Sequence, residues 1–131
     1  MTQLLNDLQQ LDALFHGPDA WAQRSYALTY KGGRYTPYNS SDATCWCLVG
    51  GCRKVTGEKY GLRVRGMEKA LYNCVPEDAS LPPLSLTHQP EDILVKYNDN
   101  STRTFPEIKQ VITCAILSFS LVIAQVMTCL I

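Results

Sequence analysis

Cys47 and the basic run from Arg53 to Lys69 hold the side chains in this sequence best suited to chemistry. Cys47 follows Cys45 and Trp46 at the start of an expected helix. A helix N-terminus favours negative charge, so a thiol there is expected to ionise more readily. A cysteine nucleophile also needs a base and a group to orient that base. The sequence has two histidines, His16 and His88. His88 stands in a proline-rich stretch, with Asn98 and Asp99 downstream as orienting groups. Cys47, His88 and Asp99 are thus the candidate set for a cysteine-dependent hydrolase or transferase. The competing account makes Cys47 a small buried side chain packing a helix, because free cysteine is among the most buried residue types.

Cys45, Cys47, Cys52 and Cys74 invite a metal reading, but their spacing is not that of a tight zinc knuckle. On one continuous helix Cys45 and Cys47 point about 200° apart and cannot share an ion. No metal and no cofactor is expected.

The basic run contains Arg53, Lys54, Lys59, Arg63, Arg65 and Lys69 against Glu58 and Glu68. Guanidinium and ammonium groups at this density suit an anion, such as a nucleotide phosphate or an acidic protein surface. Tyr26, Tyr30, Tyr35 and Tyr60 offer stacking faces. Arg53, Lys54, Arg63, Arg65, Trp46 and Tyr97 form the candidate ligand-binding set. The alternative is a solvated face balanced by Glu77, Asp78, Glu91 and Asp92. There is no phosphate-binding loop, Rossmann glycine pattern, zinc finger or RNA-binding signature, so specific DNA recognition is not expected.

The elements that must position these residues are legible from periodicity. Residues 2–15 form a helix with Leu4, Leu5, Leu8, Leu11, Leu14 and Phe15 on one stripe and Asp7, Gln9, Gln10 and Asp12 largely off it. Gly17-Pro18 ends it, and Asp19 caps a short turn carrying Trp21. Ser25 to Tyr30 and Arg34 to Thr36 predict a hairpin around Gly32-Gly33. Ser41 or Asp42 then caps a helix from Ala43 to about Val55. Its two glycines, Gly50 and Gly51, imply close approach of another helix or backbone. Helices follow at about Val64 to Cys74 and Glu91 to Tyr97, separated by a proline-rich connection from Pro76 to Pro90. Asn98-Asp99-Asn100-Ser101 reads as a turn whose Asx side chains act locally as caps.

Thr104-Phe105-Pro106-Glu107 is a capping box opening a last helix. From Gln110 to Ile131 no side chain is charged. Ile108, Val111, Ile112, Ala115, Ile116, Phe119, Val122, Ile123, Val126 and Leu130 recur at helical spacing. Burial in the chain's own core, against a second copy, or in a bilayer each account for such a helix. The bilayer reading needs about 20 apolar residues, and Gln125 together with the lack of a flanking basic cluster weighs against it.

The chain of 131 residues carries 12 basic and 12 acidic side chains. Its size fits one domain, residues 1–131, and its zero net charge gives no field that would recruit nucleic acid. Met1-Thr2-Gln3 lacks the basic start of a secretory signal. The six cysteines are therefore expected as reduced thiols in a cytoplasm, and the Asn100-Ser101-Thr102 sequon as accidental. The expected class is α+β, mostly helical, with helices around a small hairpin, closed by the long apolar helix.

Trp21, the segment Ala43, Trp46, Cys47, Gly50, and the segment Asn98, Asp99, Arg103, Thr104 resemble an uncharacterised family of small phage and actinobacterial proteins. Gly51 stands where that family has Ala, and Tyr97 where it has Trp. The resemblance covers about Leu4 to Ile116, and the apolar extension beyond has no counterpart. It implies a phage or its host as the source and names no reaction; the expected protein is a phage-encoded accessory protein in the host cytoplasm. The expected function is non-enzymatic binding, sequestering a small anionic ligand or blocking a host protein, with self-association through the last helix. The alternatives are the Cys47 enzyme and a small tail-anchored membrane protein.

Overall fold

The computed structural model describes residues 2–77 and 81–129. Asp78, Leu130 and Ile131, named above for charge balance and for the end of the last helix, lie outside them. The described residues form five α-helices and a two-stranded sheet: α1 (Thr2–Leu14), β1 (Ala27–Leu28), β2 (Cys45–Trp46), α2 (Leu48–Thr56), α3 (Leu62–Tyr72), α4 (Pro90–Asp99) and α5 (Phe105–Cys129), with a 3-10 turn at Pro18–Ala20. The fold is α+β and mostly helical, closed by a long C-terminal helix, as the periodicity predicts.

Helix α1 packs chiefly on α5 and α2, and α3 on α4. Leu8, Leu11 and Phe15 of the α1 stripe are fully buried with Leu48, Val49, Met67, Leu71, Leu94, Ile108 and Ile112. Asp7, expected off the stripe, is buried as well. Arg63 of α3 reaches over it and holds it at 2.8 Å and 3.2 Å through two guanidinium nitrogens. A carboxylate enters this core because its charge is matched in a fork geometry.

The expected hairpin is only partly present. Its Gly32-Gly33 turn forms, with Gly32 at φ 79°, but the return strand reaches β1 through a single bridge, Leu28 to Tyr35. The main partner of β1 is β2, antiparallel, with Ala27 opposite Trp46 and Leu28 opposite Cys45. Residues 43–47 were expected to open a helix and are instead extended. Thr, Cys and Trp are weak helix formers, and the Ala27–Leu28 backbone offers them a ladder. Helix α2 therefore starts at Leu48, and its cap is Cys47 rather than Ser41 or Asp42.

The capping box of α5 forms: the Glu107 carboxylate accepts the Thr104 N–H at 2.9 Å. Helix α4 has one too, Gln89 with Asp92. Only the first turns of α5 enter the core, through Ile108, Val111, Ile112 and Ala115. Beyond them Leu117, Leu121, Val122, Val126 and Met127 are exposed. Ile116 and Phe119 still pack against the core, but the core does not cover these five side chains.

Two cysteines depart from the expectation of six thiols. Cys74, just after α3, and Cys114 of α5 form a disulfide with Cα atoms 5.9 Å apart. Spacing along the chain could not show this, because the pair is 40 residues apart and meets only when α3 packs on α5. Closing a loop of that length restricts the unfolded chain by about 4 kcal/mol on the chain-entropy account.

Candidate functional site

The residues that carry the sequence pattern gather around Asn98. This side chain is fully buried. Its Oδ1 accepts the Trp21 indole N–H at 2.8 Å and the Leu48 backbone N–H at 3.1 Å. Its Nδ2 donates to the Ala22 carbonyl and to Asp99 Oδ1. Asp99 Oδ1 also accepts the N–H of Arg24, which holds positive φ at 66°. Asn98 therefore caps the start of α2, 50 residues away in sequence, and not the turn beside it. Gly50 belongs to the same joint. A Cβ there would stand 1.9 Å from the Tyr26 carbonyl oxygen, and one on Gly51 would strike Leu11 and Phe15 of α1. The two glycines admit a backbone and a helix respectively.

Cys47 completes this joint as a cap. Its Sγ accepts the Gly50 N–H at 3.2 Å. Burial pushes the thiol up to about 12, and Asp99 adds to the rise. From 9.0 to about 12 is about 4 kcal/mol against the thiolate, whereas a helix N-terminus supplies about 0.3–1 kcal/mol in its favour. The expected activation of Cys47 is thereby reversed. Asp99 lines a small cavity with Cys47. His88 does not; its ring faces Ser85 and Thr87 of its own loop. Among the described residues no three His, Cys, Asp or Glu side chains converge as a metal site.

The cationic residues separate. Arg63 is engaged with Asp7 on the α1 side, and Lys54 is exposed. Trp46 and Tyr97 are core residues; the Trp46 indole donates to the Tyr38 carbonyl, and Arg103 lies 3.7 Å over the Tyr97 ring. Arg53 and Arg65 are brought to one groove. Arg53 of α2 is buried, ion-paired with Glu91 of α4 at 2.6 Å. Its guanidinium sits 4.4 Å from the Tyr26 ring centre and 5.9 Å from that of Tyr60.

The groove is continuous through shared lining residues. A cleft of about 320 Å³ over Arg53 is walled by Tyr26, Tyr35, Tyr38 and Tyr60, with Lys59 and Glu91. Lys59, Tyr60 and Glu91 also border a second lobe of about 230 Å³ that holds Arg65, Glu68 and Lys69. Tyr26 and Tyr35 border the cavity beside Cys47 and Asp99. Glu68 is 4% exposed. Desolvation, with Glu91 adding and Arg53 opposing, raises its carboxyl to about 7. Arg53 Nε and Glu68 Oε2 are the two buried side-chain polar atoms without a hydrogen-bond partner among the described residues.

Sequence reasoning found Arg53, Arg65 and three of the tyrosines. It missed Tyr38 and the acidic side chains Glu68 and Glu91, which it read as balancing charge. Their helical registers on α3 and α4 put them inward, but only the packing of α3 against α4 shows what they face.

A family model described as a family of unknown function, DUF6197, matches residues 1–117. No curated protein and no solved structure matches the chain.

Proposed function

The chain belongs to this family, and we propose that it acts by binding rather than by catalysis. Its ligand is a small anion with a planar part, of the nucleotide class, held in the tyrosine-walled groove. The observation that carries this reading is the position of Arg53 beneath that groove. A buried guanidinium with an unpartnered Nε lies under aromatic faces suited to stacking, while Lys59, Arg65 and Lys69 stand at the adjoining lobe ready for charge. The burial that pushes the Cys47 thiol up to about 12 supports binding over the cysteine-enzyme alternative. The likeness of the Trp46-Cys47 and Asn98-Asp99 segments to small phage and actinobacterial proteins supports an accessory role.

Calorimetric titration with a nucleoside triphosphate, beside inorganic phosphate alone, tests this. The nucleotide is expected to bind and phosphate to bind more weakly, because stacking contributes about 1–3 kcal/mol per base. Lys59→Glu with Arg65→Glu, both on exposed side chains, should abolish binding while the circular dichroism spectrum is kept. No heat from any nucleotide with folded protein would refute the reading.

A further inference from the structure

The distal half of α5 exposes five large apolar side chains, Leu117, Leu121, Val122, Val126 and Met127, to water. The most apolar 18-residue stretch of α5, which reaches into its packed first half, has a mean hydropathy of 2.1, and only 17% of its residues are buried. The family match ends at residue 117, so the uncovered part begins where the shared domain stops.

The covering medium follows from how the apolar side chains are arranged around the helix. Leu117 and Leu121 lie about 140° around from Val122 and Val126, and Met127 projects on a third side; all five are exposed. A second helix laid along one stripe would leave the others wet. Water-soluble paired helices solve this with charged outer positions, and from Gln110 to Ile131 there is none. A helix with exposed apolar side chains on three sides and no charge on any is suited by lipid, with Gln125 its strongest polar exception. Two of its hydroxyls fit this as well. Ser118 Oγ donates to the Cys114 carbonyl and Thr128 Oγ1 to the Ala124 carbonyl, both at 2.9 Å, so neither needs water.

Length gives the depth. The uncharged run from Gln110 to Cys129 rises about 30 Å, the thickness of a hydrocarbon core. The mostly exposed part from Leu117 to Cys129 supplies about 20 Å of it. The rest is the stretch where α5 already packs on the domain, which puts the folded domain down on the headgroups. We infer that the distal half of α5 inserts into a lipid bilayer and seats the domain at the membrane surface. The groove over Arg53 is untouched by this inference, which stands apart from the ligand reading.

Flotation of the full chain with neutral phosphatidylcholine vesicles tests it. The wild-type chain is expected to rise with the vesicles. Leu121→Lys with Val126→Lys, both at exposed positions that the core does not use, is expected to stay at the bottom with an unchanged circular dichroism spectrum. Flotation of that variant to the wild-type extent would overturn the inference, because the domain would then hold the lipid. A wild-type chain that stays at the bottom would overturn it too, and light scattering would then show whether a second copy covers the helix.

Discussion

Two buried polar clusters sit on either side of α2, and they are finished differently. Around Asn98 each amide group is matched: two donors meet Oδ1 and two acceptors take Nδ2. Around Arg53 and Glu68 one donor and one acceptor atom are left over. Buried polar groups without partners cost about 1–3 kcal/mol each, so a cluster serving only the fold has reason to complete itself. The Asn98 joint is complete and meets the groove only at its edge, through Cys47 and Asp99. The Arg53 cluster is incomplete and lies directly under the groove. On the proposed reading the difference separates scaffold from site and leaves the residues of the sequence pattern largely with the scaffold.

Three changes would break or sharpen that contrast. The largest effect is expected at Asn98→Ala, which strands the Trp21 indole N–H, the Leu48 N–H and the Ala22 carbonyl at once. A loss of about 4 kcal/mol in urea unfolding is expected from three orphaned groups. A loss below about 1 kcal/mol would mean the joint is not what fixes the α2 start.

Glu68→Gln should act in the opposite sense. The folded carboxyl titrates near 7 against 4.5 for the free group, so the folded state binds the extra proton between those values. Wild-type stability should therefore fall as pH rises from 4.5 to about 7 and level off above. The variant should lose that slope and be more stable than wild type at pH 8 by on the order of 2 kcal/mol. It should also bind anions more tightly at pH 8, since Glu91 and Glu68 are the acids that oppose them beside Arg53 and Arg65. Equal slopes in thermal melts across pH would remove Glu68 as the unmet charge.

The smallest effect belongs to Cys47→Ser. A hydroxyl can accept the Gly50 N–H as the thiol does, and serine is a favoured N-cap. Stability within about 1 kcal/mol of wild type and unchanged nucleotide binding are expected. Loss of binding in a folded Cys47→Ser protein would bring the cysteine into the site after all.

Much of the helical skeleton was legible because helices announce themselves locally. The α1 stripe of Leu8, Leu11 and Phe15, the proline at the head of α4 and the Thr104–Glu107 box need only neighbours three or four residues away. The α2 start was misread for the opposite reason. Ser41 and Asp42 looked like caps, but the acceptors that end the strand and begin the helix are Cys47 and Asn98, and the second arrives from α4. The site was half legible. A cluster of cations is visible in sequence, while which of them are already engaged is not. Arg63 was indistinguishable from Arg65 until α1 brought Asp7 to it.

By itself the sequence determined the helices, the break at Gly17-Pro18, the Gly32-Gly33 turn and the uncharged last helix, because these depend on periodicity, backbone freedom and composition within a few residues. Only the tertiary structure decided the pairing of Ala27–Leu28 with Cys45–Trp46, the Cys74–Cys114 bond, the neutral state of the Cys47 thiol and the meeting of Arg53, Glu68 and Glu91 with the tyrosines. Each of those rests on groups far apart in the chain, and hydrogen bonding, desolvation and charge act across space at a few ångströms, whatever the distance in sequence.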